Sequence, residues 1–146
     1  MWRKPTEDDI LATISQAEVD AYSKSSSWTS DPIEMLLNRA AAYVRGYLAT
    51  NGNIRMSPNE HEIPEATISP AMDYLAVDIL KRINRSINDA RRDARRDAIA
   101  YFDKIATGKL TVESYGTGDN AQTGGPAVEI VTSSRIRTDA NRLEGL

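Results

Sequence analysis

Cysteine is absent from this 146-residue chain, which excludes disulfides, thiolate metal sites, thiol nucleophiles and iron–sulfur clusters together. Histidine occurs once, as His61. Apolar runs are short: the longest, at residues 40–44, falls far below the about 18 residues a membrane-spanning helix needs. The first residues, MWRKPTEDD, contain no apolar core of the kind a signal peptide carries, so a cytoplasmic setting and no membrane partner are expected. Positive charge is not in excess either. Eighteen Lys and Arg face 21 Asp and Glu for a net charge of -3, which argues against sequence-independent DNA binding as the main activity. What is present is ordinary for a globular chain, with 40% hydrophobic and 27% charged residues. The length suits one domain, and the balance excludes wholesale disorder or a fibrous repeat.

Helix punctuation organises the chain. Thr6 followed by Glu7, Asp8 and Asp9 reads as a capped, dipole-favoured start to a short helix containing Ile10, Leu11 and Ile14. Ser15 with Glu18 is a capping box for a second short helix through Tyr22. Ser25, Ser26 and Ser27 break it, and Trp28 is expected to cover one end of a bundle. Asp31, Pro32 and Glu34 make the clearest start, because an N-cap acid, a proline at the first helical position and a carboxylate at the third coincide. The helix that follows repeats Ile33, Leu36, Leu37, Ala40, Val44, Tyr47 and Leu48 at three-and-four spacing and ends at Asn51 and Gly52. Ser69, Pro70 and Asp73 repeat the start signal for a stripe of Met72, Leu75, Ala76, Ile79, Ile83 and Ile87. That stripe is widened by Tyr74, Val77 and Leu80 into a central helix touched from several sides. A break is expected at Ser86 and Asn88, then a helix from Asp89 to a left-handed stop at Gly108.

These signals predict an all-α fold: a small helical bundle of two short N-terminal helices and three longer ones over residues 1–112, with an extended tail at residues 113–146. Leu36, Val44, Leu75, Ile79, Phe102 and Ile105 are the expected core. The tail holds five of the eight glycines and no aromatic residue except Tyr115, so it is expected to order only on assembly. Within it Val128 and Ile130 fall on one side of an extended piece, with Glu129 and Val131 opposite, a pattern suited to a partner's sheet edge or groove. Residues 51–68 are too long for an ordinary bundle connection and are expected to be functional or mobile.

Few residues suggest chemistry. His61 lies between Glu60 and Glu62, but adjacent loop positions do not converge on one ion as i, i+4 helical ligands do. Gly116, Gly118, Gly124 and Gly125 lack the strand, helix and GK[ST] ending of a phosphate loop. The Asn84-Arg85-Ser86 sequon falls within a predicted helix. No nucleophile stands beside a partner that would orient it, so neither catalysis, a metal nor a cofactor is expected.

The informative stretch is residues 89–104, DARRDARRDAIAYFDK. At 100° per residue, Asp89 with Arg92 and Asp93 with Arg96 are i, i+3 pairs on a wet face. Arg91 and Arg95 project on the side of Phe102 and have no acid three or four residues away. Two readings stay open for them: stems lying along the bundle end, or guanidinium groups paired with acids of a neighbouring subunit or with phosphate. Arg91, Arg95, Val128 and Ile130 are therefore the candidate subunit or partner interface. Charge is also segregated. Residues 1–34 carry seven acids and three bases, whereas residues 81–104 carry eight bases and four acids, a polarity suited to head-to-tail association. A small helical nucleic-acid-binding regulator using residues 91–96 is the alternative, weakened by the interleaved Asp89, Asp93 and Asp97.

Over roughly residues 6–112 the chain resembles the Mu-like phage head-to-tail adaptor (head completion, connector) proteins. The resemblance rests on TEDDILATISQAEVDAY, LLNRAAAYVRGYL, MDYLAVDILKRI and AIAYFDKIATGKLTV. The last is the most specific, with Phe102, Ile105, Ala106, Gly108, Lys109 and Leu110 where the family ends its last core helix. The loop at residues 51–68 is longer than that family's pattern. The resemblance implies a structural subunit that assembles with itself into a ring between portal and tail-joining proteins. It would act at the virion head-tail junction after assembly in the bacterial host cytoplasm, with DNA passing through the channel without sequence-specific contact.

Overall fold

Several helices in this protein begin where a side chain accepts the first free backbone N–H groups. The structure, a computed structural model, describes residues 1–116. These hold five helices: α1 (Glu7–Leu11), α2 (Gln16–Ser23), α3 (Pro32–Thr50), α4 (Ile68–Arg82) and α5 (Asp89–Ala106). The fold is mainly α-helical, as the punctuation predicts. Ser15 Oγ accepts the Glu18 N–H at 3.2 Å while Glu18 Oε1 accepts the Ser15 N–H at 3.0 Å, completing the capping box. Asp31 Oδ1 accepts the Ile33 N–H at 3.0 Å, and Asn88 Oδ1 accepts the Arg91 N–H at 2.8 Å.

Both ends of α4 differ from the sequence expectation. It begins at Ile68 rather than after Ser69, because a 3₁₀ turn at Glu65–Thr67 runs directly into it. The Thr67 hydroxyl donates to the Pro64 carbonyl at 2.6 Å instead of capping. Pro70 lies in the first turn, where its missing N–H leaves no helical bond unmade. The helix ends at Arg82, so Ile83 and Ile87 lie outside it. Asn84 adopts φ 58°, the Arg85 N–H reaches the Leu80 carbonyl at 2.9 Å, and the Asn84 N–H reaches that of Lys81 at 3.2 Å. This is a Schellman closure. Asparagine supplies the left-handed residue because its short polar side chain tolerates that conformation.

Two short strands escape the periodicity altogether. β1 (Trp2–Arg3) pairs antiparallel with β2 (Ile63–Pro64), Trp2 opposite Pro64 and Arg3 opposite Ile63. This ladder ties the amino-terminal residues to the 51–68 loop, which is packed rather than loose. Arg45 on α3 donates to the carbonyls of Ser57 at 2.8 Å, Asn59 at 3.1 Å and Glu62 at 2.8 Å, so one guanidinium satisfies three loop carbonyls. The buried Asn51 links the loop to α5, its Nδ2 donating to the Ile105 carbonyl at 2.9 Å.

The core follows the predicted stripes. Leu36, Val44, Leu75, Ile79, Phe102 and Ile105 are all buried, and α4 is central, touching α1, α2, α3 and α5. Trp28 packs against this core, stacked on Tyr22 at 5.5 Å with the Arg82 guanidinium 5.0 Å above its ring. Residues 113–115, assigned by composition to the tail, instead join the compact unit Met1–Tyr115. Trp2 Nε1 donates to the Glu113 carbonyl at 3.0 Å, the Met1 amino group pairs with the Glu113 carboxylate, and the Tyr115 N–H donates to the Arg55 carbonyl at 2.8 Å. Backbone pairing with an early segment is invisible to composition, which explains the difference. The rest of the tail expectation, including Val128 and Ile130, lies outside the described residues.

Two predictions follow from the packing. Leu75→Ala is expected to cost about 2 to 5 kcal/mol in urea unfolding, since its site is walled by other core residues; a loss below about 1 kcal/mol would remove Leu75 from the core. The second concerns the amino-terminal anchor, where Arg3 grips Asp9 through two bonds of 2.9 and 3.0 Å. The Arg3 hydrogen bond, aided by the Thr6 N–H, holds the Asp9 carboxyl below its ordinary value. A depressed folded-state value means stability present above the ordinary 3.8 and lost as pH falls through the folded value. Arg3→Ala should therefore lower stability at neutral pH by about 1 kcal/mol, discounted for the exposure of Arg3. Its deficit should shrink on acidification below the ordinary aspartate value, and a deficit independent of pH would assign the effect to lost packing.

Candidate functional site

The amphipathic pattern of α5 separates its arginines into two kinds. Arg92 and Arg96 stand on the exposed face and pair within the helix, with Asp89 at 3.7 Å and Asp93 at 2.8 Å. Such exposed i, i+3 pairs contribute a few tenths of a kcal/mol. Arg95 turns inward. Its guanidinium lies 3.5 Å from the Asp78 carboxylate of α4 and 4.3 Å from the Tyr74 ring. Tyr74 in turn stacks on Tyr43 of α3 at 4.2 Å, so a three-layer stack of Arg95, Tyr74 and Tyr43 joins α5, α4 and α3. Burial pushes the Tyr43 hydroxyl well above the usual tyrosine range, with the bond to the Tyr47 hydroxyl adding to the effect.

Arg91 acts at longer range, its charge favouring the ionised forms of Glu18 on α2 and Asp73 on α4. The Glu18 carboxyl is held below its ordinary value first by the Ser15 N–H and then, among smaller effects, by Arg91 and Arg85; Arg85 itself approaches Glu18 to 4.0 Å. Burial raises the Asp73 carboxyl, and Arg91 opposes that rise. For Arg95 one partner is therefore an acid of its own chain, Asp78, because the fold lays α4 against the inward side of α5. One acid of the amino-terminal region, Glu18, likewise approaches one base of the later region, Arg85.

Sequence reasoning missed Asp78 and Tyr74 as partners. The available signal was an acid one turn beyond a tyrosine on an otherwise apolar helix, with no cation assigned to it. Beside this contact lies an open groove of about 630 Å³ between α4 and α5. Val77 is buried in it and Ile87 and Ile99 are half-buried, whereas Lys81, Arg92 and Arg96 form its exposed edge and Arg95 one wall. Arg95 Nε is buried and donates no hydrogen bond. These side chains offer apolar surface and cationic donors.

His61 does not converge with its acidic neighbours. Its N–H donates to Asn59 Oδ1 at 2.9 Å, while the Glu62 carboxylate turns to the Ser57 hydroxyl at 2.6 Å. Among the described residues no cluster of three His, Asp or Glu side chains could hold a metal ion, and no helix is long and apolar enough to cross a membrane. Comparison with protein-family models, curated proteins and solved structures finds no match to this chain.

The two kinds of arginine should separate in stability measurements. Arg95→Ala is expected to cost about 1 to 2 kcal/mol, because it leaves a partly buried Asp78 without its cation and removes a ring contact. Arg96→Ala should cost only a few tenths of a kcal/mol. Equal losses in urea unfolding would show that the Arg95 contact is not a stabilising one.

Proposed function

We propose that the protein is a structural subunit of a phage or prophage head-to-tail connector. In this reading it assembles into a ring between portal and tail, extends the DNA channel and presents a docking surface for the tail. The subunit is a small helical bundle. Its work is mechanical rather than enzymatic, and DNA crosses the ring without sequence-specific contact.

The observation that carries the reading is the similarity of AIAYFDKIATGKLTV to the end of that family's last core helix. In the fold this stretch is the last turns of α5, where Phe102 and Ile105 are buried and Gly108 takes φ +82° just beyond the helix. The nucleic-acid alternative loses support from the pairing of Arg92, Arg95 and Arg96 with Asp89, Asp78 and Asp93, since phosphate would have to displace those carboxylates.

Native mass spectrometry across a concentration series, with negative-stain electron microscopy of the largest species, tests the proposal. Closed rings with an open centre are expected. A protein that forms only open chains or remains monomeric throughout the series would overturn it.

A further inference from the structure

We propose that the groove between α4 and α5 receives residues 128–131, Val-Glu-Ile-Val, of a second copy of this chain. The proposal rests on the connector reading only in taking the partner to be another copy.

The chemistry of the groove states what it will accept. Its inner surface is Val77, Ile87 and Ile99, and its exposed edge is Lys81, Arg92 and Arg96. Lys81 makes no ion pair among the described residues, and Arg95 Nε, at the wall, is a buried donor without an acceptor. The groove therefore suits a short apolar segment carrying one carboxylate. A purely apolar helix would leave Lys81 and the Arg95 Nε unmatched, and a polyanion would meet Asp89 and Asp93 beside Arg92 and Arg96.

Residues 128–131 match this description within the part of the chain beyond the described structure. Three apolar residues, Val128, Ile130 and Val131, surround one acid, Glu129, which supplies the apolar surface and the single carboxylate that the lining of the groove calls for. Because donor segment and receiving groove are different surfaces, each copy can give to one neighbour and receive from another, which is the heterologous contact that a ring requires.

The test uses two full-length variants with complementary defects. Lys81→Glu/Arg96→Glu reverses charge at exposed positions of the groove and keeps the segment, whereas Ile130→Asp spoils the segment and keeps the groove. Thermal unfolding by circular dichroism checks that each folds, and Arg92→Glu serves in place of the double variant should that one not fold. Each variant alone should lose self-association, with a dissociation constant raised about tenfold or more. An equimolar mixture should form one-to-one pairs in native mass spectrometry and no larger species. Variants that associate like the wild type, or a mixture that does not pair, would overturn the proposal, as would a wild-type chain that stays monomeric. If wild-type rings form and the variants form them equally well, the connector reading stands and the groove assignment fails. If the mixture pairs although no ring closes, the groove assignment stands and the connector reading fails.

Discussion

Much of this structure depends on burying α4 while accommodating its acids. The helix presents Ile68, Ala71, Met72, Leu75, Ala76, Val77, Ile79 and Leu80 as buried residues, so neighbours must cover it on several sides. Asp73 and Asp78 ride on the same helix and cannot all escape to water. An unpaired carboxylate partly withdrawn from solvent is costly; at Asp78 that cost is met by Arg95, whereas at Asp73 burial still holds the carboxyl above its ordinary value. The pairing constrains how α5 is set against α4. Once α5 is seated, Phe102 and Ile105 are committed to the core, and the Tyr74–Tyr43 stack extends the arrangement to α3.

A second layer of constraint holds the non-helical parts. Arg45 converges on three carbonyls of the 51–68 loop, and its guanidinium also lies 5.9 Å from the Trp2 ring. Trp2 contributes to the β1–β2 ladder, donates to Glu113 and meets Tyr115 edge-on at 6.2 Å. The beginning of the chain, its longest loop and the exit from the last helix thus depend on each other. A loop that length alone suggests would be mobile is held by the hydrogen bonds its backbone requires.

The same economy of charge shapes the functional reading. Three arginines of α5, Arg92, Arg95 and Arg96, are matched by acids of the same chain at contact distance, so positive charge is not presented as a continuous stripe. What remains on the surface is a groove with apolar walls and a cationic edge.

Local chemistry was enough to read much of the fold from sequence. Caps at Ser15 and Asp31, proline at position 32, the stripes through Leu36 and Val44 and through Leu75 and Ile79, and the stop at Gly108 depend on residues within a turn or two of each other. The i, i+3 pairs of Arg92 and Arg96 belong to the same class. Where several local signals competed, the reading slipped: Ser69 and Pro70 looked like a start, but Thr67 was already engaged with Pro64, and Asn84 closed α4 before Ser86 could. Only the tertiary structure decided the partner of Arg95, the β1–β2 pairing, the latch made by Arg45 and the membership of residues 113–115. Each of these joins groups that helical periodicity does not relate, such as Asp78 with Arg95 or Trp2 with Glu113. Their proximity is a property of how the helices pack, and a one-dimensional pattern carries no record of it.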